Sequence, residues 1–289
     1  MAFLPHPNAP CTDKTAALID ELSEKHSEIV NDASMIMFPE RMGYRNIPTV
    51  VETTIRSLKE THDPLDHYLC QAPDKSDPLW KQIKGRTFYY TAWTKWVNDQ
   101  SAWTINRGEA YLILVPPPCE RNPPGSIDKL LLALLGYMVT SGSEEHTKRL
   151  EEFTRKLQNA RTKALGDRVK QVYSIAGLGT APSRAISDYA RALVQMVNDK
   201  VDLNSCLFVN SGSRSQTSQA DIAARAVMVI NGNVDANTTF YNSLGYVAVE
   251  RFYLGEINPA WDEPPVPIDL MLREPKTFVT TDKNAALGL

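Results

Sequence analysis

Apolar residues recur along this chain with two periods, and the switches between them mark out its elements. From Thr15 to Ala33, Leu18, Leu22 and Ile29 fall near one helical face with Asp20, Glu24 and Lys25 between them, which predicts an amphipathic helix. Met35, Ile36, Met37 and Phe38 form a short apolar burst within Ser34–Met42, read as a first strand. Pro48 sits where helices start, and Val50, Val51, Ile55 and Leu58 carry the helical period onward. Asp63-Pro64 then opens a short helix through Leu69, and Pro78–Asn98 is helical again, with Trp80, Phe88, Trp93 and Trp96 read first as core.

The pattern changes at Ser101. Ser101–Ile105, the turn Asn106-Arg107-Gly108 and Glu109–Val115 read as a hairpin, ended by Pro116-Pro117-Pro118. Ser126 caps a helix over Leu130, Leu131, Leu134, Leu135 and Met138. Glu144–Leu165 is a charged helix with Leu150, Phe153 and Leu157 on one face and its charges read as solvated. Gln171–Leu178 reads as a strand, and Tyr189, Leu193, Met196 and Val197 lie on the next helix. Ser205–Val209 reads as a short buried strand, Ser211–Ser218 as loop, and Ala220–Ile230 as an apolar stretch broken by Asp221 and Arg225. Asn237–Leu244 is helical, Gly245 caps it, and Tyr246–Leu254 and Val266–Leu272 are the last strands.

This order predicts an α/β fold: a mixed, partly parallel central sheet flanked by helices, with an extra N-terminal helix. Gln171–Leu178 and Ser205–Val209 are the expected parallel neighbours, joined by the helix holding Tyr189–Val197. Ligands of such sheets bind where neighbouring strands part at their carboxyl ends.

Composition narrows the partners. Thirty-one basic residues stand against 34 acidic ones, for a net charge of −3, with no long run of either sign. Nucleic acid and anionic membranes reward clustered Lys and Arg, so neither is expected as the main partner; a small-molecule substrate is. Cys11, Cys70, Cys119 and Cys206 have no paired spacing of the kind zinc needs, and no metal is expected. The first ten residues lack a secretory pattern, and the apolar run Leu130–Val139 is too short to span a bilayer; both readings favour a cytoplasmic protein.

Several blocks then resemble a known family. Asp63-Pro-Leu-Asp-His-Tyr-Leu69 and Gly108-Glu-Ala-Tyr-Leu-Ile-Leu-Val-Pro-Pro117 look like early blocks of fungal GNAT-type N-acetyltransferases. Tyr173-Ser-Ile-Ala-Gly-Leu-Gly-Thr-Ala-Pro-Ser183 and Arg191-Ala-Leu-Val194 look like their central strand and following helix. Asn237-Thr-Thr-Phe-Tyr-Asn-Ser-Leu-Gly-Tyr246, Phe252-Tyr-Leu-Gly255 and Asp269-Leu-Met-Leu-Arg273 look like their closing elements. The resemblance runs from about Ser34 to Pro275 and implies an extension over residues 1–33, a GNAT-like domain over 34–278 and a tail over 279–289.

The resemblance implies acetyl-CoA as cofactor and acetyl transfer to an amine or similar nucleophile. It places Leu178, Gly179 and Thr180 against the pantetheine arm, in the manner of an added strand. It places Arg184, Ala190 and Arg191 about the pyrophosphate at a helix N-terminus, with Asn237 also on the cofactor. Tyr241 takes the place of the general acid that protonates the departing thiolate, although a packed tyrosine beside Phe240 fits the residues equally well. The resemblance sets Asp66 and His67 at the acceptor pocket and Glu109 on the substrate side, where the family sometimes places a general base; for His62-Asp63-x-x-Asp66-His67 a turn between helices is favoured over a metal site, and for Glu109 a surface glutamate is the plainer reading.

The chain departs from the family's Gln/Arg-x-x-Gly-x-Gly/Ala loop at two of the three marked positions, Ala185 and Asp188, where only Ala190 conforms. Asp188 sets a carboxylate and a Cβ where phosphate must approach backbone, so weak binding is expected. Residues Gly212–Asn233 read as an insertion. Two further readings stay open on these departures: an enzyme on the same scaffold that no longer uses coenzyme A (a lyase, cyclase or isomerase), and a binding module without chemistry.

Overall fold

The computed structural model describes residues 38–70, 78–121, 123–140, 143–181, 186–210 and 225–276. The helix expected over Thr15–Ala33 lies outside them, as does most of the Met35–Phe38 burst. The first strand, β1, is the pair Glu40–Arg41. Helix α1 (Ile47–Thr61) opens with Pro48 in its first turn and stops at His62, which adopts left-handed φ 46°. Helix α2 (Pro64–Cys70) follows at once, then α3 (Pro78–Asn98).

The hairpin is β2 (Ala102–Ile105) and β3 (Ala110–Val115). Its turn demands Gly108 twice over: φ is +114°, and a Cβ there would come within 3.0 Å of Val50 N and the Thr49 side chain. Two helices, α4 (Ser126–Thr140) and α5 (Glu144–Leu165), lead to strand β4 (Tyr173–Thr180). Helix α6 (Ile186–Asn210), β5 (Val227–Asn231), α7 (Val234–Ser243), β6 (Val247–Leu254) and β7 (Val266–Arg273) complete the fold.

The seven strands form one mixed sheet in the order β1-β2-β3-β4-β5-β7-β6, in which β4 and β5 are parallel and every other neighbouring pair is antiparallel. Helices cover both faces. On one, α6 buries Leu193, Val194, Val197 and Val201 against Leu112, Ile175, Val227 and Val229, each side chain contributing roughly 1.5–3 kcal/mol. On the other, α1 and α3 press Val50, Val51 and Trp93 onto Tyr111 and Ile113, while α5 seats Leu157 and Leu165 against Met228 and Leu270.

One expected strand is a helix. Ser205–Val209 continues α6, and the parallel partner of β4 is Val227–Asn231, inside the stretch read as an insertion. A five-residue apolar run fits either a buried strand or one more helical turn, and here the stripe of Leu193, Val197 and Val201 carries the helix onward. Gly212–Asn233 is therefore no simple insertion: Val227–Asn231 within it is a strand of the sheet, and residues 211–224 lie outside the described ones.

Nor is the charged face of α5 wholly solvated. Arg149 is 2% exposed, between the Tyr68 and Trp261 rings at 5.0 and 5.1 Å. Its Nε donates to Glu145, and its two terminal nitrogens donate to the carbonyls of Tyr68 and Ala260, each at 2.9 Å. One guanidinium thus fastens α5 to the end of α2 and to the β6–β7 connection. Beside it the Tyr68 hydroxyl donates to Glu152, which also pairs with Lys156.

Burial pushes the Glu145 and Glu152 carboxyls up, but their donors prevail: Arg149 and Asn258 hold Glu145, and Tyr68 and Lys156 hold Glu152, below the usual carboxylate range. With folded pKa values depressed, the unfolded chain takes up protons first as pH falls. This part of the stability should be complete above about pH 4.5 and be lost as pH drops through the folded values. Thermal melts from about pH 6 down to pH 3 check it: Glu152→Gln should lose less on acidification than the native chain, and an equal loss would show that Glu152 carries none of it.

Candidate functional site

Strand β4 runs beside β3 from Ser174, opposite Val115, to Thr180, opposite Ala110. Ala176 has no partner in that ladder, since Ile175 pairs with Leu114 and Gly177 with Ile113; it is a bulge, and bulges re-aim a strand. On its other side β4 meets β5 only over Tyr173–Ile175, opposite Val227–Val229. Beyond Ile175, among the described residues, no strand pairs with that edge. The N–H and C=O groups of residues 176–180 on that side face a split between parallel strands at their carboxyl ends, where open α/β sheets hold ligands.

The rims come from nearby elements. Gly232, just past β5, touches α2: a Cβ on it would come within 2.8 Å of Leu65. Gly179 lies beneath the Tyr111 phenol, where a Cβ would sit 2.5 Å from the ring and hydroxyl. The first turns of α6 reach α7, with Arg191 Cζ 6.0 Å from the Phe240 ring and with Tyr189, Ala190 and Tyr241 all buried.

Tyr241 is 6% exposed and packs edge-on against Phe240 and Tyr246. Its hydroxyl differs from those of its neighbours. Tyr246 donates to Asn198, Tyr173 to Glu120 and Tyr68 to Glu152. The Tyr241 hydroxyl makes no hydrogen bond among the described residues, yet it is not among their sealed, unpartnered atoms. Burial, and then the Asp63 carboxylate, push its pKa well up. Buried Tyr111 is also pushed up, by burial first, with the Thr54 and Ser57 hydroxyls pulling the other way and the Asp63 and Asp66 charges adding to the rise. Sequence reasoning passed over Asp63 in favour of its neighbours; its place before Pro64, capping α2 by accepting from the Asp66 N–H at 3.0 Å, was the available signal.

Those neighbours have other partners. Asp66 accepts from Cys70 Sγ at 3.2 Å, and burial raises its carboxyl although that thiol pulls the other way. His67 Nε2 donates to Glu263 at 2.8 Å, and His62 Nδ1 lies 3.1 Å from the Glu60 carbonyl. The four side chains of this block do not converge, and no group of three metal-ligating residues occurs among the described residues. Glu109 accepts from Asn106 at 2.6 Å, and its carbonyl accepts from the Ala181 N–H, closing the end of β3 against β4.

Of the cofactor candidates, Leu178, Gly179 and Thr180 form the open edge. Ala190 is buried and Arg191 exposed on α6, Asn237 is half-buried on α7, and Arg184 lies outside the described residues. Asp188 is exposed on the first turn of α6.

Two surface depressions lie elsewhere, about 330 Å³ between α5 and β6 and about 480 Å³ beside α7 and β7. Most of their cations are already paired: Lys156 with Glu152 and Glu256, Lys163 with Glu250, Arg251 with Asp269 and Arg273 with Asp202, while Lys276 also lines the second. Neither offers the open backbone that the split between β4 and β5 does. Among the described residues no helix is long and apolar enough to cross a membrane.

No family model matches the sequence, and no curated protein matches it. Among solved structures the chain is similar to arylalkylamine N-acetyltransferase 2 from Aedes aegypti, with a TM-score of 0.45 and 12% identity over 82% of this chain and 98% of that one. It is also similar to mosquito arylalkylamine N-acetyltransferase like 5b, with a TM-score of 0.48 and 13% identity over 82% and 99% of the two chains.

Proposed function

We propose that the split between β4 and β5 is the site of a GNAT-type acyltransferase, which moves an acetyl group from acetyl-CoA to a small-molecule amine. The observation that carries this reading is the free β4 edge over residues 176–180. A linear arm with alternating amides can pair with such an edge as an added strand does, and Leu178, Gly179 and Thr180 would hold it. Bound there, acetyl-CoA would supply an activated acyl thioester. Ala190 and Arg191, on the first turns of α6, would meet its phosphates, and Asn237 the amides of its arm.

The chain's own residues then divide two tasks. An amine is an ammonium in neutral solution and must lose a proton before attack; this reading gives that proton to Asp63, whose charge, after burial, bears on Tyr241. As nitrogen bonds to the carbonyl carbon and the carbon–sulfur bond breaks, the leaving sulfur needs a donor. Burial keeps Tyr241 a phenol, ready to donate. Full transfer to a thiolate whose conjugate acid has pKa ~8.5 is uphill for so weak an acid, so its main service is a hydrogen bond to the developing charge.

Asp188 favours a second reading, an enzyme of the same architecture that has given up coenzyme A. Calorimetry with acetyl-CoA separates the two. The native chain should bind weakly, and Asp188→Gly should tighten binding by the ~1–4 kcal/mol that a carboxylate near a phosphate costs. Absence of binding by both proteins would hand the lead to the second reading. Tight native binding that the substitution leaves unchanged would place Asp188 away from the phosphates.

A further inference from the structure

Helix α4 is apolar on more sides than α3, which packs beside it, can cover. At its start Asn98 Nδ2 of α3 donates to Asp128 at 2.5 Å, and Asp128 also accepts from the Gly125 N–H at 2.9 Å. Its inner stripe is Met138, which is buried, with Leu131 and Leu135 half-buried. A second stripe of Ile127, Leu130, Leu134 and Tyr137 is 40–68% exposed, and Leu132 is exposed as well. The apolar residues that set the helical period in the sequence thus divide between a covered face and an open one.

The open stripe has the spacing of a coiled-coil seam. Its members stand three, four and three residues apart, the pattern that packs one helix along another. With Leu132 it leaves on the order of 500 Å² of apolar surface, in the upper part of the range for a monomer. Two such faces together remove about 1,000 Å² from water, the area at which a specific interface begins. The helix is already held by α3, so a partner orders little in binding it. What the stripe lacks is charge. Asp128 is engaged within its own chain, and no residue from Leu130 to Thr140 is charged. Seams that select a foreign helix do so through charged flanks, and anionic membranes draw helices with several cations; α4 has Lys129 alone. An uncharged stripe is complementary to itself.

We propose that α4 is a self-association surface, on which a second copy of this chain packs its own α4 antiparallel about a two-fold axis. The axis passes between Leu130 and Leu134, so Leu130 meets Leu134 of the second copy and Ile127 meets Tyr137, each contact occurring twice. Antiparallel packing also sets Lys129 beside the last turn of the other helix, whose carbonyls carry partial negative charge. The inference does not depend on which reaction the chain performs.

Sedimentation equilibrium of the full chain, from about 1 to 100 µM, tests it. The native chain should dimerise. Leu130→Glu and Leu134→Lys should each raise the dissociation constant at least about a hundredfold, because the two-fold axis sets each substitution in the interface twice. Both side chains are exposed, so the circular dichroism of each variant should match the native chain. Mixing the two variants should restore a dimer, since the introduced carboxylate then meets the introduced ammonium and the native Leu130–Leu134 contact survives once. Mixing Leu130→Glu with Leu130→Lys should not, since those positions do not meet. A native chain still monomeric at the highest concentration, a dimer that either variant leaves intact, a first mixture that stays monomeric, or a second that associates would each overturn the proposal. A monomeric native chain that sediments with phosphatidylcholine vesicles would give the stripe to a lipid surface instead.

Discussion

Tyr241→Phe should lower acetyl transfer about 10²–10⁴-fold, the range for a lost proton donor, with the melting temperature and acetyl-CoA affinity nearly unchanged. The substitution keeps the ring that packs against Phe240 and Tyr246 and removes only a hydroxyl that bonds to none of the described residues. Folding therefore loses little, and the loss should fall on kcat. Steady-state kinetics beside a thermal melt read both quantities. A variant that melts early and keeps its turnover would show the hydroxyl to be structural. Tyr246→Phe is the natural contrast: its hydroxyl donates to buried Asn198 at 3.0 Å, so it should lower stability first.

The largest loss of stability is expected from Arg149→Ala, about 3–5 kcal/mol by urea denaturation. The guanidinium is buried and answers Glu145 and two carbonyls, so truncation strands all three and leaves a gap between two aromatic rings. Lys163→Ala gives the comparison within the same helix. That ammonium is 73% exposed in its pair with Glu250, and its removal should cost no more than about 1 kcal/mol. Equal costs for the two would mean that Arg149 is not the fastening its contacts describe.

Much of the fold is legible in the sequence because local chemistry and tertiary context agree there. The hairpin around Gly108, the helix starting near Pro48 and the turn at Gly245 each rest on a residue whose backbone preference admits few alternatives. Ser205–Val209 fails for the opposite reason. Its apolar run carries no period, and only the packing of the rest of α6 decides that it is helical. Val227–Asn231 is an equally short apolar run, and nothing local marks it as the strand beside β4.

The candidate site divides in the same way. Leu178, Gly179, Thr180 and Tyr241 come from a resemblance that also predicts which elements carry them. Within Asp63–His67 that resemblance picks out the block but not the partner of each side chain. Orientation there depends on Cys70 and Glu263, which draw Asp66 and His67 away. Arg149 was beyond reach: a cation among charges on a helix reads as solvated until Trp261 and the Ala260 carbonyl, more than a hundred residues later, close over it.

Among the described residues, three pairs, Tyr173–Ile175 against Val227–Val229, are all the ladder that joins the four strands on one side of the split to the three on the other. Mechanically the sheet is two plates on a short hinge. The hinge residues Ile175 and Val229 are each 2% exposed, and both sit in the core that α6 covers. The aperture between the plates is therefore a property of core volume. A methylene gained or lost at Ile175 or Val229 bears on how far apart the free edge of β4 and the end of β5 stand, although neither side chain needs to touch a ligand.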